Sequence, residues 1–436
     1  MTDHQATAVP VLMIAPAMPS PDLPAWPGAA WVGAIDRQEA LAASAVELAG
    51  AEGFRRARLL VRDGREVAGF VDVAVDASGE VDPAELGPAL RALRTLRTTG
   101  LPAAPQGDPS GRISVVIGTR DRPDDVRRCV RSVLASDHPD FEVFVVDNAP
   151  TTSATRDVVA AFADPRLHYV LEARPGVSRA RNAGLALASG AVVAFVDDDV
   201  VVDRHWLAAL ADAYARDADV VCVTGLVPSG ELRTPTQRYF DERVTWARNL
   251  DRRVFRTSAP PEDLPLFPFS VGAFGTGANM SLRRSAALAL GGFDVALGPG
   301  TPSRAGEDPD LFTRVLLSGG ALAVEPSAIV WHKHRPDRAA LRSQALGYGT
   351  GLGAWVAKLM LRPRTAFAVF RRAFGALKQL GALGQGDGQV SAAVDALGGW
   401  PVDDEFVAAT AGLKRVELIA ALGGPWRYLR SVRAAR

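Results

Sequence analysis

Between residues 113 and 223 the chain alternates short, unbroken apolar runs with stretches long enough to form a helix. The runs cover residues 113–117, 141–146, 167–171, 191–196 and 220–223. Continuous hydrophobicity marks strands buried on both faces, and helix-length spacers mark crossover connections. This region therefore predicts an α/β fold with a mostly parallel, Rossmann-like sheet flanked by helices. Ligands of such sheets bind beyond the carboxyl ends of the strands, so the residues after each run are the ones to read for chemistry.

Upstream, residues 58–62 and 67–73 flank Asp63-Gly64, a pair that signals a β-hairpin. Asp82, Pro83 and Glu85 follow with the spacing of an N-cap, a first helical position and a capping box. Together they predict a small α+β module over residues 31–99. Residues 1–30, rich in Pro and Ala with no sustained period, read as a loose leader, and residues 100–111 (GLPAAPQGDPSG) as a linker. The α/β domain then spans 112–335, and 336–436 reads as a helical, basic C-terminal extension. No internal repeat recasts the chain as a solenoid.

A length of 436 residues fits two or three domains, and 48% apolar with 22% charged residues is ordinary globular composition. Lys plus Arg (49) balances Asp plus Glu (49), which argues against a nucleic-acid partner. Cys129 and Cys222 sit inside apolar runs and read as buried thiols of a reducing compartment. The apolar run 9–17 has no preceding Lys or Arg, so it does not read as a secretory signal. No uncharged apolar stretch of about 18 residues occurs, and the chain is expected to be cytoplasmic and non-spanning.

The strand ends carry distinctive polar groups. Asp197-Asp198-Asp199 follows the fourth run, and three adjacent carboxylates call for a cation. In extended backbone Asp197 and Asp199 share a face while Asp198 points elsewhere. Mg²⁺ or Mn²⁺ with phosphate oxygens as co-ligands fits such acids, and a solvated turn is the alternative. No GxxxxGK[ST] loop offers another phosphate site. Thr119 and Arg120 follow the first run, and Asp147-Asn148 the second.

In Arg174–Gly184 (RPGVSRARNAG), Gly176 can open a tight loop, Ser178 can cap a helix, and Arg179 or Arg181 can reach phosphates or a nucleoside, or simply face solvent. The small-residue run GTGANMS lets a ligand approach the backbone, with Asn279 as donor and acceptor. Asp308, beside Glu307, suits either a general base or an N-cap ahead of Pro309. His332 and His334 at i and i+2 suit a metal or diphosphate contact, or an exposed pair.

Taken in order, VVIGTRDRP, VVDNAP, RPGVSRARNAG, FVDDDV, GTGANMSLRR with GGFD, GEDPDL and WHKH resemble a family 2 glycosyltransferase of the GT-A fold, in an actinobacterial-type form with N- and C-terminal extensions. The resemblance covers about residues 112–335. It implies that Thr119, Arg120 and Asp147 hold the nucleotide's base and ribose, with Arg181, Asp197, Asp198 and Asn279 completing the donor side. It further implies that Asp197 and Asp199 are the DxD pair, binding Mn²⁺ or Mg²⁺ with His332, and that Asp308 is the catalytic base, with Glu307 beside it in the acceptor site. Asp147-Asn148 departs from the two acids of many relatives and leaves the base or ribose preference open.

The implied reaction is inverting transfer of a sugar from a nucleotide sugar, by default a UDP-sugar with GDP- and dTDP-sugars open, to a hydroxyl of a glycan or lipid-linked acceptor in cell-envelope or other glycan biosynthesis. The alternative is a non-catalytic nucleotide-sugar or glycan binder on the same scaffold. Phe367, Phe370, Phe374 and Leu377 fall at helical spacing beside Arg364, Arg371, Arg372 and Lys378. Residues 362–380 thus read either as a basic amphipathic helix on the anionic inner face of the plasma membrane or as a helix packed on the α/β domain. Homo-oligomerisation stays open.

Overall fold

The computed structural model describes residues 11–20, 22–93, 111–270, 272–372, 406–407, 410 and 412–435. The chain opens with β1 (Val11–Ile14), β2 (Trp31–Asp36), α1 (Arg37–Ala42), β3 (Ala45–Leu48), β4 (Arg56–Asp63), β5 (Glu66–Ala74) and α2 (Pro83–Ala92). β2, β4 and β5 form one sheet, with β4 and β5 antiparallel around the turn at Gly64 (φ 62°). Asp82 caps α2 by accepting from the Ala84 amide at 2.8 Å. Glu85 does not reach back to the cap as a capping box would; it accepts from the Ala74 amide at 2.7 Å and ties helix to sheet.

Part of the expected loose leader is built into the fold. β1 lies parallel to β3, the Ala17 amide donates to the Val32 carbonyl at 2.9 Å, and Met18 is buried. Its apolar run has a sheet edge to join, which composition alone does not reveal.

The second unit comprises β6 (Ile113–Thr119), α3 (Pro123–Leu134), β7 (Phe141–Asn148), α4 (Ala154–Ala160), β8 (Leu167–Glu172), α5 (Val177–Leu187), β9 (Val192–Asp197), β10 (Val200–Val202), α6 (Trp206–Arg216), β11 (Val220–Leu226), α7 (Pro235–Arg243), β12 (Arg253–Phe255), β13 (Asn279–Arg283), α8 (Arg284–Ala289), α9 (Glu307–Leu317), β14 (Ala321–His332), α10 (Arg338–Met360) and α11 (Leu413–Ala435). Its sheet runs β10-β14-β11-β13-β9-β6-β7-β8, with β12 on β14. Strands β9, β6, β7 and β8 are parallel, whereas β13 inserts antiparallel between β9 and β11. The sheet is therefore α/β and mostly parallel, but mixed. Residues alternate between two cores: Val115, Ile117 and Val143 pack with Val130 and Trp206 on one face, and Val116, Phe144 and Val146 with Leu185 and Leu311 on the other. Cys129 and Cys222 are buried and unpaired, and burial pushes both thiols up.

The N-terminal unit packs against β11 and β14. Arg62 pairs with Asp203 at 2.9 Å, Arg58 with Asp241, and Arg252 bridges Glu66 (2.6 Å) and Glu325 (2.7 Å). Met18, Val32, Leu60 and Val67 pack against Leu226, Ile329 and Trp331. The predicted linker, residues 100–111, lies outside the described residues apart from Gly111.

α10 and α11 pack through small residues, so closely that a Cβ on Gly353 would lie 2.0 Å from the Ala421 carbonyl oxygen. Gly353→Val is expected to force the helices apart at a cost of about 1–3 kcal/mol, read as a lowered thermal midpoint. Among the described residues, no helix is long and apolar enough to cross a membrane.

Candidate active site

The strand ends converge as the fold requires. β9 delivers Asp197, and the chain turns back into β10, which pairs antiparallel with the end of β14 so that Val200 lies opposite His332. This pairing, locked by the Lys333 amide donating to the Asp199 carbonyl at 3.0 Å, sets His332 Nε2 3.3 Å from Asp199 Oδ1. Asp199, Asp197 and His332 each offer a ligand atom, all within 4.8 Å of one another. The buried Asp199 Oδ1 accepts no hydrogen bond. Two carboxylates and an imidazole suit Mn²⁺ or another hard-to-borderline divalent ion, so the residues fit such a group. The charge of Asp199 holds the His332 imidazole up, and His332 with Arg122 holds the Asp199 carboxyl far down.

Asp198, in the two-residue turn between β9 and β10, is held apart from that trio. The Thr119 hydroxyl donates to it at 2.7 Å and Arg122 at 2.9 Å, and Arg122 also reaches Asp199 at 3.1 Å. Burial and the charge of Asp199 push Asp198 up to about 6. Thr119 and Asp198 thus form an internal contact that braces the acidic turn. Arg120 is exposed, 3.8 Å from Asp121.

Asp147, at the end of β7, is fully buried and accepts from the Tyr169 hydroxyl at 3.1 Å, while its Oδ1 has no partner. Burial raises its carboxyl. Its neighbour Asn148 is a loop clamp: its amide donates to the Arg174 carbonyl at 2.8 Å and its oxygen accepts from the Gly176 amide at 2.7 Å. A second acid here could not donate, which gives Asn148 a structural reason.

Gly176 (φ 134°), not Ser178, occupies the N-cap of α5; Ser178 donates instead to the Leu297 carbonyl at 2.8 Å. Arg181 is buried and forked, donating to Asp197 at 2.9 Å, Glu307 at 3.2 Å and the Gly277 carbonyl at 3.1 Å. It does not face solvent, and it joins the β9 acids to the start of α9.

That start is set by Gly306 (φ 100°) as N-cap, so Glu307 and Asp308 lie in the first turn and Asp308 is not the cap. Asp308 accepts from the Gly277 amide at 2.9 Å. Burial and the charge of Asp308 push Glu307 up to about 7, and burial raises Asp308 also. Both line a cavity of about 850 Å³ that also takes in Asp197, Asp199 and His332.

One expected contact, Asn279, is used elsewhere, and His334 has mixed surroundings. Asn279 is buried in β13, accepting from the Trp206 indole at 2.9 Å and donating to the Leu226 (3.1 Å) and Ala328 (2.8 Å) carbonyls, so no polar atom of its side chain is left for a ligand. Its small-residue run reads as open loop, yet it ends in an antiparallel strand. His334 stacks on Phe240 and burial lowers it to about 3, but it still lines the cavity beside His332 and its Nε2 has no hydrogen-bond partner. Sequence reading missed Arg122, which grips two of the three acids, and Tyr169. Arg122 lies inside the quoted GTRDRP motif, while nothing in the sequence pairs Tyr169 with Asp147.

Residues 114–290 match the family model described as glycosyl transferase family 2. The succinoglycan biosynthesis protein ExoM of Rhizobium meliloti is 30% identical over 259 residues, covering 57% of this chain and 72% of the relative. The chain belongs to glycosyl transferase family 2. Other family 2 relatives include the pre-mycofactocin glycosyltransferase of Mycobacterium tuberculosis, 30% identical over 239 residues (55% of this chain, 46% of that one). The glucosyl-dolichyl phosphate glucuronosyltransferase of Haloferax volcanii is 32% identical over 192 residues (43% of this chain, 57% of that one). The chain spans about half the length of these two relatives. A solved mannosyltransferase of Pyrobaculum calidifontis, in complex with GDP-Man and Mn²⁺, is 22% identical with a TM-score of 0.47, covering 76% of this chain and 91% of that one.

Proposed function

We propose that this family 2 chain transfers a sugar from a nucleoside-diphosphate sugar, UDP-linked by first expectation, to a hydroxyl acceptor with inversion at the anomeric carbon. The observation that carries the reading is the Arg181 bridge, which holds Asp197 beside Glu307 and so sets the acidic strand end and Asp308 around one cavity. Asp308 takes the proton of the acceptor hydroxyl as its oxygen attacks and the bond to the diphosphate breaks. The Gly277 amide fixes the carboxylate that does so. Glu307, held on Arg181, borders the acceptor side. Asp147, whose Oδ1 has no partner at the end of β7, would accept from the base or ribose in this reading. Mn²⁺ or Mg²⁺ bound by Asp199, Asp197 and His332 would supply positive charge to the departing diphosphate.

Titration calorimetry of UDP, GDP and dTDP with and without Mn²⁺ tests the donor side. One nucleotide is expected to bind only with metal, and Asp199→Ala is expected to abolish that binding. Equal binding in chelator, or by the variant, would remove the metal from the reading.

A further inference from the structure

The C-terminal helices leave a large apolar surface uncovered. The side of α11 that includes Gly424, Tyr428 and Ser431 is buried, and Gly424 sits against Gly353 of α10. At 100° per residue the opposite side carries Leu418, Ile419, Leu422, Trp426 and Leu429, all exposed, Leu422 at 84% and Trp426 at 62%. The adjoining α10 exposes Leu352, Val356 and Met360, and the helical stretch 363–372 exposes Phe367 and Phe370. Leu352 and Leu418 line the same cavity, which ties the two helices into one surface. Soluble monomers rarely leave so much apolar area uncovered.

The charges around it have one sign. Arg362, Arg364, Arg371 and Arg372 border α10, and Arg415, Arg427, Arg430 and Arg433 lie on α11, with no Asp or Glu between Arg338 and Arg372. None of these eight arginines pairs with a carboxylate among the described residues, and the one acid of α11, Glu417, is taken by Arg243. A second copy seated symmetrically on this face would set arginine against arginine, which disfavours a dimer here. Among the described residues no helix can span a bilayer, so contact with lipid at this face would be interfacial.

We propose that this face lies on an anionic lipid bilayer. Leu418, Leu422 and Trp426 enter the headgroup boundary, the arginines meet lipid phosphates, and the cavity mouth at Leu352, Lys414 and Leu418 opens against the membrane. The expectation drawn from residues 362–380 captured one flank of this surface; Phe374, Leu377 and Lys378 lie outside the described residues, and α11 supplies the larger part. The proposal does not depend on the transfer reading, and its test contains no nucleotide.

The full chain is floated with vesicles of phosphatidylcholine alone or mixed with phosphatidylglycerol. Binding to the mixed vesicles that weakens with added salt is expected. Leu422→Glu is expected to reduce the bound fraction about tenfold or more, and Arg430→Glu with Arg433→Glu to reduce it also. These side chains are exposed, so an unchanged circular dichroism spectrum and thermal midpoint establish that each variant is folded. Three results would overturn the proposal: no binding to anionic vesicles, binding that Leu422→Glu leaves intact, or a dimer in light scattering that Leu422→Glu dissolves.

Discussion

Asp308→Asn is expected to lower kcat by about 10²–10⁴ while nucleotide affinity stays as in the parent. The asparagine retains an oxygen where Asp308 accepts from the Gly277 amide, so the loop keeps its anchor and only proton acceptance is lost. A pH profile gives the second readout. The base works ionised, so activity falls as pH drops through its pKa. Burial raises that pKa above the ordinary aspartate range, and the neighbouring Glu307 stands at about 7. The acid limb of kcat/KM is therefore expected to lie higher than an ordinary aspartate would place it and to vanish from the residual activity of the variant. Undiminished turnover by Asp308→Asn would assign the proton to another group.

Removing Arg181 is expected to have the largest effect on stability. Its guanidinium is buried between Asp197 and Glu307, and Arg181→Met leaves both acids near each other without their cation. Breaking a buried ion pair from one side costs about 3–5 kcal/mol, and for a unit of this size that is a fall of roughly 6–20 °C in the thermal midpoint. Lys is a poor substitute, because a single ammonium cannot fork to two carboxylates and a carbonyl. A variant within a degree or two of the parent would show that water or the acids' own protonation replaces the guanidinium.

The parallel strands were legible because each is a short, mainly apolar run that needs cover on both faces. β13 was not, because NMSLR, though it alternates polar and apolar, is short and lacks β-branched residues; β9 and β11 stand on either side of it and make it a strand. The acids at strand ends were legible by position, and the grouping of Asp197 with Asp199 came out as expected although a turn, not extended backbone, sets it. The partners of those acids were not. Arg181 reads as a donor-side contact or a solvent-facing arginine until the fold buries it between Asp197 and Glu307, and Asn279 reads as a ligand group until three buried contacts claim it. Contacts between residues a hundred positions apart leave no local trace in the chain.

β14 brings His332 to the candidate metal site while its other residues lean on Met18, Leu60 and Val67 of the N-terminal unit. The composition break near residue 110 is thus a punctuation mark in the text, not a seam in the object. A chain cut there would bare Ile329 and Trp331, take Arg62 from Asp203 and take Arg58 from Asp241. The segment from β1 to α2 is a foundation for the histidine, not an appendage to the cavity.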